Sequence, residues 1–169
     1  QTRADQSIER ILAHTFSWDG RLDFESGYLT NGRYGDVFDV ITNAAGPTVL
    51  SSYGVIWPLG HVPLDVVQRE ALLTYVERGG ILVLDGSTAR EFSAHFTGVR
   101  VADGFMHDSY IQTALQELPT LTDPYQHRPM ALVRDAVPIA WSAQGQPVLV
   151  WKAVGQGMVI VSGLDHWLD

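Results

Sequence analysis

The sequence predicts a three-layer α/β sandwich with a mainly parallel sheet and an antiparallel C-terminal edge. Three observations carry this. Residues 53–84 run from an apolar strand-length stretch through an amphipathic helical stretch to a second apolar run, the order of a βαβ unit. The second run, Ile-Leu-Val-Leu at 81–84, is uniformly apolar, as a parallel strand covered on both faces requires. Three further short runs close the chain, and their glycine-containing links are too short for crossover helices, so they read as hairpins.

Taken in order, residues 7–14 place Ile8, Ile11 and Leu12 at helical spacing, while 10–16 read equally as a first strand. Between 17 and 35, glycines interrupt any long element and the aromatics Trp18, Phe24, Tyr28 and Tyr34 recur, which describes a structured loop. Those four rings suit local packing, a partner's groove or the face of a sugar. The run Val-Phe-Asp-Val-Ile-Thr at 37–42 is bounded by turn residues and reads as a buried strand, as does 53–57. Pro63 opens a helix whose Leu64, Val67, Ala71, Leu72, Tyr75 and Val76 form one apolar stripe, stopped by Gly79 and Gly80. After the strand at 81–84, a shorter helix is expected at 89–96 and another at 111–118. The closing strands are 137–141, 147–151 and 158–161, and Trp57, Trp141 and Trp151 lie in strands and are expected in the core.

The 169 residues, 46% of them hydrophobic, suit a single domain spanning 1–169. A formal net charge of -8, with ten arginines scattered singly and Lys152 the one lysine, argues against nucleic acid, which needs clustered cations. The arginines read as surface and ion-pair residues. Zero cysteines exclude a disulfide framework, a thiolate metal site and a thiol nucleophile, and fit any compartment. No apolar run approaches the roughly 20 residues that cross a bilayer, so the chain reads as soluble, with no membrane partner. A start at Gln1 and an apolar run just before Asp169 suggest a piece of a longer chain.

The series Tyr-Gly-Val-Ile-Trp-Pro-Leu-Gly at 53–60, Tyr-Val-Glu-Arg-Gly-Gly at 75–80 and Ile-Leu-Val-Leu-Asp-Gly at 81–86 resembles the class I glutamine-amidotransferase-like superfamily, which is flavodoxin-like. In particular it resembles the β-trimerisation domain of β-galactosidase-type glycoside hydrolases and the ThuA-like proteins. The tail, Gly-Gln-Pro-Val-Leu-Val at 145–150 with Val-Gly-Gln-Gly-Met-Val-Ile at 154–160, is similar to the closing hairpin of those domains. The likeness covers roughly 34–87 and 138–169. It implies a bacterial accessory or oligomerisation domain of a carbohydrate-active enzyme, without cofactor. Its partners would be the other domains of the parent chain, further copies of itself and carbohydrate. The alternatives are a ThuA-like hydrolase or sugar-modifying enzyme, and a sugar-binding module.

In active members of the superfamily a cysteine nucleophile sits on the sharp turn after a central strand. The resemblance brings that position to Asp85, in Leu84-Asp85-Gly86-Ser87, and a carboxylate is a poor acyl acceptor, so glutamine hydrolysis is not expected. Ser87, with His166 after the last strand, offers a serine route, but Gly-x-Ser-x-Gly is absent and Ser87 is placed to cap a helix starting at 88 or 89. His61 follows a strand end, where α/β sheets bind ligands, and completes a candidate set of His61, Asp85, Ser87 and His166, with Asp165 beside it. The six histidines stand far apart in sequence, so no metal site is expected.

Overall fold

The computed structural model describes residues 41, 44–58, 62–114 and 124–164. The segment at 7–14, the aromatic loop at 17–35 and all of the expected strand at 37–42 except Ile41 lie outside the described residues.

Pro47 opens a single helical turn, α1 (Pro47–Leu50), at a position where a missing amide donor costs nothing. β1 (Val55–Ile56) follows, shorter than the apolar run because Tyr53 is still held by the turn, its N–H donating to the Leu50 carbonyl at 3.2 Å. α2 (Val66–Glu77) begins after Asp65 rather than at Pro63. The Asp65 carboxylate accepts the Gln68 N–H at 2.8 Å, and the Gln68 side chain accepts the Asp65 N–H at 2.8 Å. This reciprocal cap satisfies two amides that the helix itself leaves without partners. Leu72, Tyr75 and Val76 are buried against the sheet, whereas Val67, expected in the stripe, is 73% exposed, so the apolar face is narrower than the spacing suggests.

The helix ends at Gly79, whose φ of 113° an L side chain rarely adopts, and Gly80 lets the Tyr75 ring close over the turn. A Cβ on Gly80 would lie 2.2 Å from the Tyr75 Cζ. The Tyr75 hydroxyl donates to the carbonyls of Tyr53 at 3.1 Å and Ile81 at 3.3 Å, which pins the helix to both strands that it connects.

Among the described residues the main sheet has six strands: β1, β2 (Ile81–Asp85), β5 (Ile111–Thr113), β8 (Val137–Ser142), β9 (Pro147–Val154) and β10 (Gly157–Ser162). Their spatial order is β1-β2-β10-β9-β8-β5. β2 pairs in parallel with β1 and β10, whereas the β10–β9, β9–β8 and β8–β5 pairings are antiparallel. The sheet is therefore mixed, not mainly parallel, because the closing strands follow one another through tight turns that admit no crossover. Pro138, which cannot donate to a ladder, accompanies register shifts between β8 and β9. The core lies around the central strand pair: Val76, Leu82, Leu84, Val150, Val159 and Val161 are fully buried.

The middle of the chain departs most from expectation. In place of one helix at 89–96 there are two turns, α3 (Gly86–Ala89) and α4 (Ala94–Thr97), separated where Ser93 adopts an extended backbone and caps α4 through the Phe96 N–H. The helix expected at 111–118 is instead β5 over its first three residues, and 115–118 lie outside the described residues. The described residues also form two small ribbons, β3 (Val99–Val101) with β7 (Met130–Leu132) and β4 (Met106–Asp108) with β6 (Tyr125–His127). Trp57, Trp141 and Trp151 are half-buried rather than in the core. Lys152 is buried instead, its ammonium donating to the His95 carbonyl.

Candidate functional site

The C-terminal ends of the parallel strands β2 and β10 lie side by side, with Asp85 and Ser162 as register partners. In open α/β sheets this is where ligands bind, because successive chain segments diverge there. Asp85 is buried, and its carboxylate accepts the Thr88 N–H at 2.6 Å, which caps α3. The cap is thus Asp85 and not Ser87, because α3 starts at Gly86 and leaves Asp85 as the last extended residue. Ser87 is half-buried in the first turn of α3.

Gly86 has no side chain where one would be obstructed. A Cβ there would stand 3.1 Å from the Arg128 Cδ and 3.4 Å from the Val101 Cγ1. Arg128, read from sequence as a surface cation, is only 8% exposed and lies across the turn. Its Nη1 donates to the Asp103 carbonyl at 2.8 Å, and its guanidinium stacks 4.1 Å from the centre of the Phe105 ring. The Asp103 side chain in turn pairs with Arg90, the residue that ends α3. The 102–105 loop is therefore strapped across the strand ends by two arginines, one buried and one exposed.

The backbone next to Arg128 is held as closely. Its N–H donates to the Gly163 carbonyl at 2.7 Å, and a Cβ on Gly163 would lie 2.7 Å from the Arg128 carbonyl oxygen. The fully buried Ser162 accepts the Leu164 N–H on its hydroxyl at 3.0 Å, which turns the chain away from the sheet. Beside this turn lies His127, fully buried, with no hydrogen bond to either ring nitrogen among the described residues. Burial holds the His127 imidazole below its usual titration range, opposed by the nearby Arg128 backbone and by Asp108. Tyr125 is pushed up to about 12, by burial first and by Asp108 second.

Of the four candidates named from sequence, Asp85 and Ser87 stand together on this turn, while His61 and His166 lie outside the described residues, as do Asp165 and the aromatics Trp18, Phe24, Tyr28 and Tyr34. Arg128, Asp103, Phe105 and His127 carry no sequence signal beyond residue type, because their roles arise from contacts across more than twenty positions. Among the described residues no three histidine, aspartate or glutamate side chains group as a metal site needs. A shallow cleft of about 330 Å³ borders the site, lined by residues 100–102, 129–131 and Gln146.

No protein-family model matches the chain, and no curated protein sequence matches it. Solved structures do. The chain is similar to a cytoplasmic protein of Salmonella typhimurium LT2, at 15% identity and TM-score 0.58, over 72% of this chain and 64% of that one. It is similar to a putative ThuA-like protein of Bacteroides uniformis, at 14% identity and TM-score 0.55, over 75% of this chain and 67% of that one. It is also similar to the β-galactosidase of Rahnella sp. R3, at 15% identity and TM-score 0.56, over 75% of this chain and 22% of that one. The chain thus spans less than two thirds of the Salmonella protein and about a fifth of the β-galactosidase. Both kinds of protein that the sequence resembles are among its neighbours, and at these identities the likeness is one of fold: mixed α/β, with a six-stranded mixed sheet and few helices among the described residues.

Proposed function

We propose that this chain is a non-catalytic accessory or oligomerisation domain of a carbohydrate-active enzyme of the β-galactosidase kind, built on the flavodoxin-like framework of the glutamine-amidotransferase-like superfamily. The observation that carries the reading is the state of the strand-end turn. By the resemblance the superfamily's thiol position falls near Asp85, whose carboxylate is engaged in capping α3. The space above Gly86, where a reacting carbonyl would have to approach a nucleophile, holds the Arg128 side chain. A similar fold forming about a fifth of a β-galactosidase chain supports a role as one domain among several. On this reading residues 1–169 form one domain of a longer chain, whose partners are the neighbouring domains, further copies of the same chain and carbohydrate.

The test is a comparison of the parent enzyme with a variant lacking this domain, by size-exclusion chromatography with light scattering and by glycosidase assay. The expected result is an oligomeric parent that loses its assembly state on deletion and keeps its catalytic residues elsewhere. A strictly monomeric parent, or glycosidase activity in the isolated chain, overturns it.

One observation favours a ThuA-like hydrolase instead: the Bacteroides protein is matched over 67% of its own length, so a similar fold occurs in a chain not much longer than this one. In that reading Ser87, relieved of capping by Asp85, works with His61 and His166. Loss of a measured hydrolase activity in Ser87→Ala and His166→Ala, with folding intact, is the result that would establish it.

A further inference from the structure

The β4–β6 ribbon has two differently engaged faces. Directly opposed residues of an antiparallel pair share a face, so the pairings Met106 with His127 and Asp108 with Tyr125 bring these four side chains together. His107 and Gln126 point the other way, their side chains 2.7 Å apart and exposed. On the first face His127 is fully buried with both ring nitrogens unpartnered among the described residues, and Asp108 has a buried Oδ2 in the same condition. The other Asp108 oxygen accepts the Ser109 N–H at 2.9 Å, and the Tyr125 hydroxyl donates to the Tyr110 carbonyl at 2.8 Å. Native folds rarely leave one buried polar group without a partner, and here two of opposite character share one face.

His127 also sits where the ribbon is fastened to the rest of the molecule. Its backbone bridges Leu164, and the next N–H, of Arg128, donates to the Gly163 carbonyl. These backbone contacts tie the ribbon to the chain just beyond β10. Among the described residues, the titratable or charged groups that face the ring are Asp108 from β4 and Tyr125 from β6. Gly163 and Leu164 bring none, and the apolar cluster that packs Tyr125 and Leu164, made of Ile111, Ala140, Val148 and Leu149, brings none either. The Arg128 guanidinium is engaged with Asp103 and Phe105.

We propose that His127 is a proton-operated latch, which holds the β4–β6 ribbon against the end of β10 while neutral and releases it when protonated. A neutral imidazole tolerates this enclosure, but an imidazolium carries a charge and two N–H donors, and the Arg128 backbone and the Asp108 charge do not make good its loss of water. Two reliefs exist, and both move the ring out of its seat. One is bulk solvent, which a fully buried ring does not reach, and the other is the Asp108 carboxylate, which is not within hydrogen-bond reach of the ring as it stands. Once the tie opens, Arg128 loses its backbone partner Gly163, and its side chain is held across Gly86 only by Asp103 and Phe105. A strand end closed at neutral pH then opens in mild acid. The latch stands whether or not the domain is an accessory of a glycosidase, since its readout is independent of assembly and activity.

The experiment is amide hydrogen exchange on the whole chain at a series of pH values from about 7.5 to about 5, each rate corrected for its intrinsic pH dependence. Peptides covering 104–108 and 125–128 should lose about tenfold or more in protection across that range, while peptides from β9 and β10 keep theirs. His127→Gln, neutral throughout, should abolish the pH dependence in the ribbon. An unchanged dependence in His127→Gln, or a ribbon in the native chain that does not respond to pH, overturns the latch. Should His127→Gln fail to fold, an NMR titration of the native chain decides: the Gly163 and Leu164 amides should shift with the same midpoint as the His127 ring, and a ring that titrates without them refutes the proposal.

Discussion

Arg128 shows what a single side chain does at the strand ends. Its stem lies over the bare Cα of Gly86, its guanidinium supports the Phe105 ring, and one of its N–H groups satisfies the Asp103 carbonyl. Arg128→Ala is expected to lower stability by about 2 kcal/mol, the sum of a cation–π contact and a hydrogen bond from a charged donor, read from the midpoint of urea unfolding. Arg128→Lys should recover little, because an ammonium neither stacks on Phe105 nor presents a planar fork. None of this was legible in the sequence, where Arg128 is one isolated cation among ten arginines, and its partners Asp103 and Phe105 gain their meaning only when the loop folds back. Asp85 was partly legible. Its place at the strand end followed from the apolar run before it, but whether Asp85 or Ser87 caps α3 turns on where the first helical residue falls, a boundary that local composition does not fix.

At the scale of elements, the unit β1–α2–β2 was readable because its signals are local: an apolar stripe, a polar start and a glycine stop within some thirty residues. The small ribbons were not, since three-residue strands such as β3 and β4 hold too few positions for alternation to register and owe their form to distant partners. Ile111, Gln112 and Thr113 are extended because β8 pairs with them, which overrides any helical leaning of the residues that follow. The joint between α2 and β10 is a tight one. A Cβ on Gly157 would lie 2.2 Å from the Gly80 carbonyl oxygen and 2.3 Å from that of Val76, and both obstacles are backbone. Gly157→Ala is therefore expected to destabilise by about 3 kcal/mol or more, since helix or strand must shift bodily. Gly86→Ala, which meets the flexible Arg128 stem at 3.1 Å, should cost about 1 kcal/mol. Denaturant unfolding of the two variants side by side checks the contrast.

For the molecule as a whole, the titration of buried groups sets limits on either side of neutrality. His127 in the fold lies below its ordinary value, so the unfolded chain takes up the proton first, and stability is lost as pH falls from about 6.5 toward the lowered value. Tyr125 lies above its ordinary value, at about 12. The unfolded chain there releases its proton first, so stability is lost as pH rises from about 10. Thermal melts are expected to show a plateau between these limits, and Tyr125→Phe should flatten the alkaline slope while lowering the plateau slightly through loss of the bond to the Tyr110 carbonyl. A slope that is unchanged in Tyr125→Phe would assign the alkaline loss to other groups. The strand order carries a consequence of another kind. Among the described residues β10 is the last strand in sequence, yet it stands inside the sheet, between β2 and β9. A ribosome delivers β1 and β2 early and must synthesise both ribbons and three further strands before β10, the second neighbour of β2, exists. Throughout that interval the nascent chain displays an apolar strand with an unpaired edge, the kind of surface that recruits chaperones or other nascent chains. Pairing of β2 on that side thus waits for β10, and termination before Gly157 would leave β2 and β9 each with an open edge.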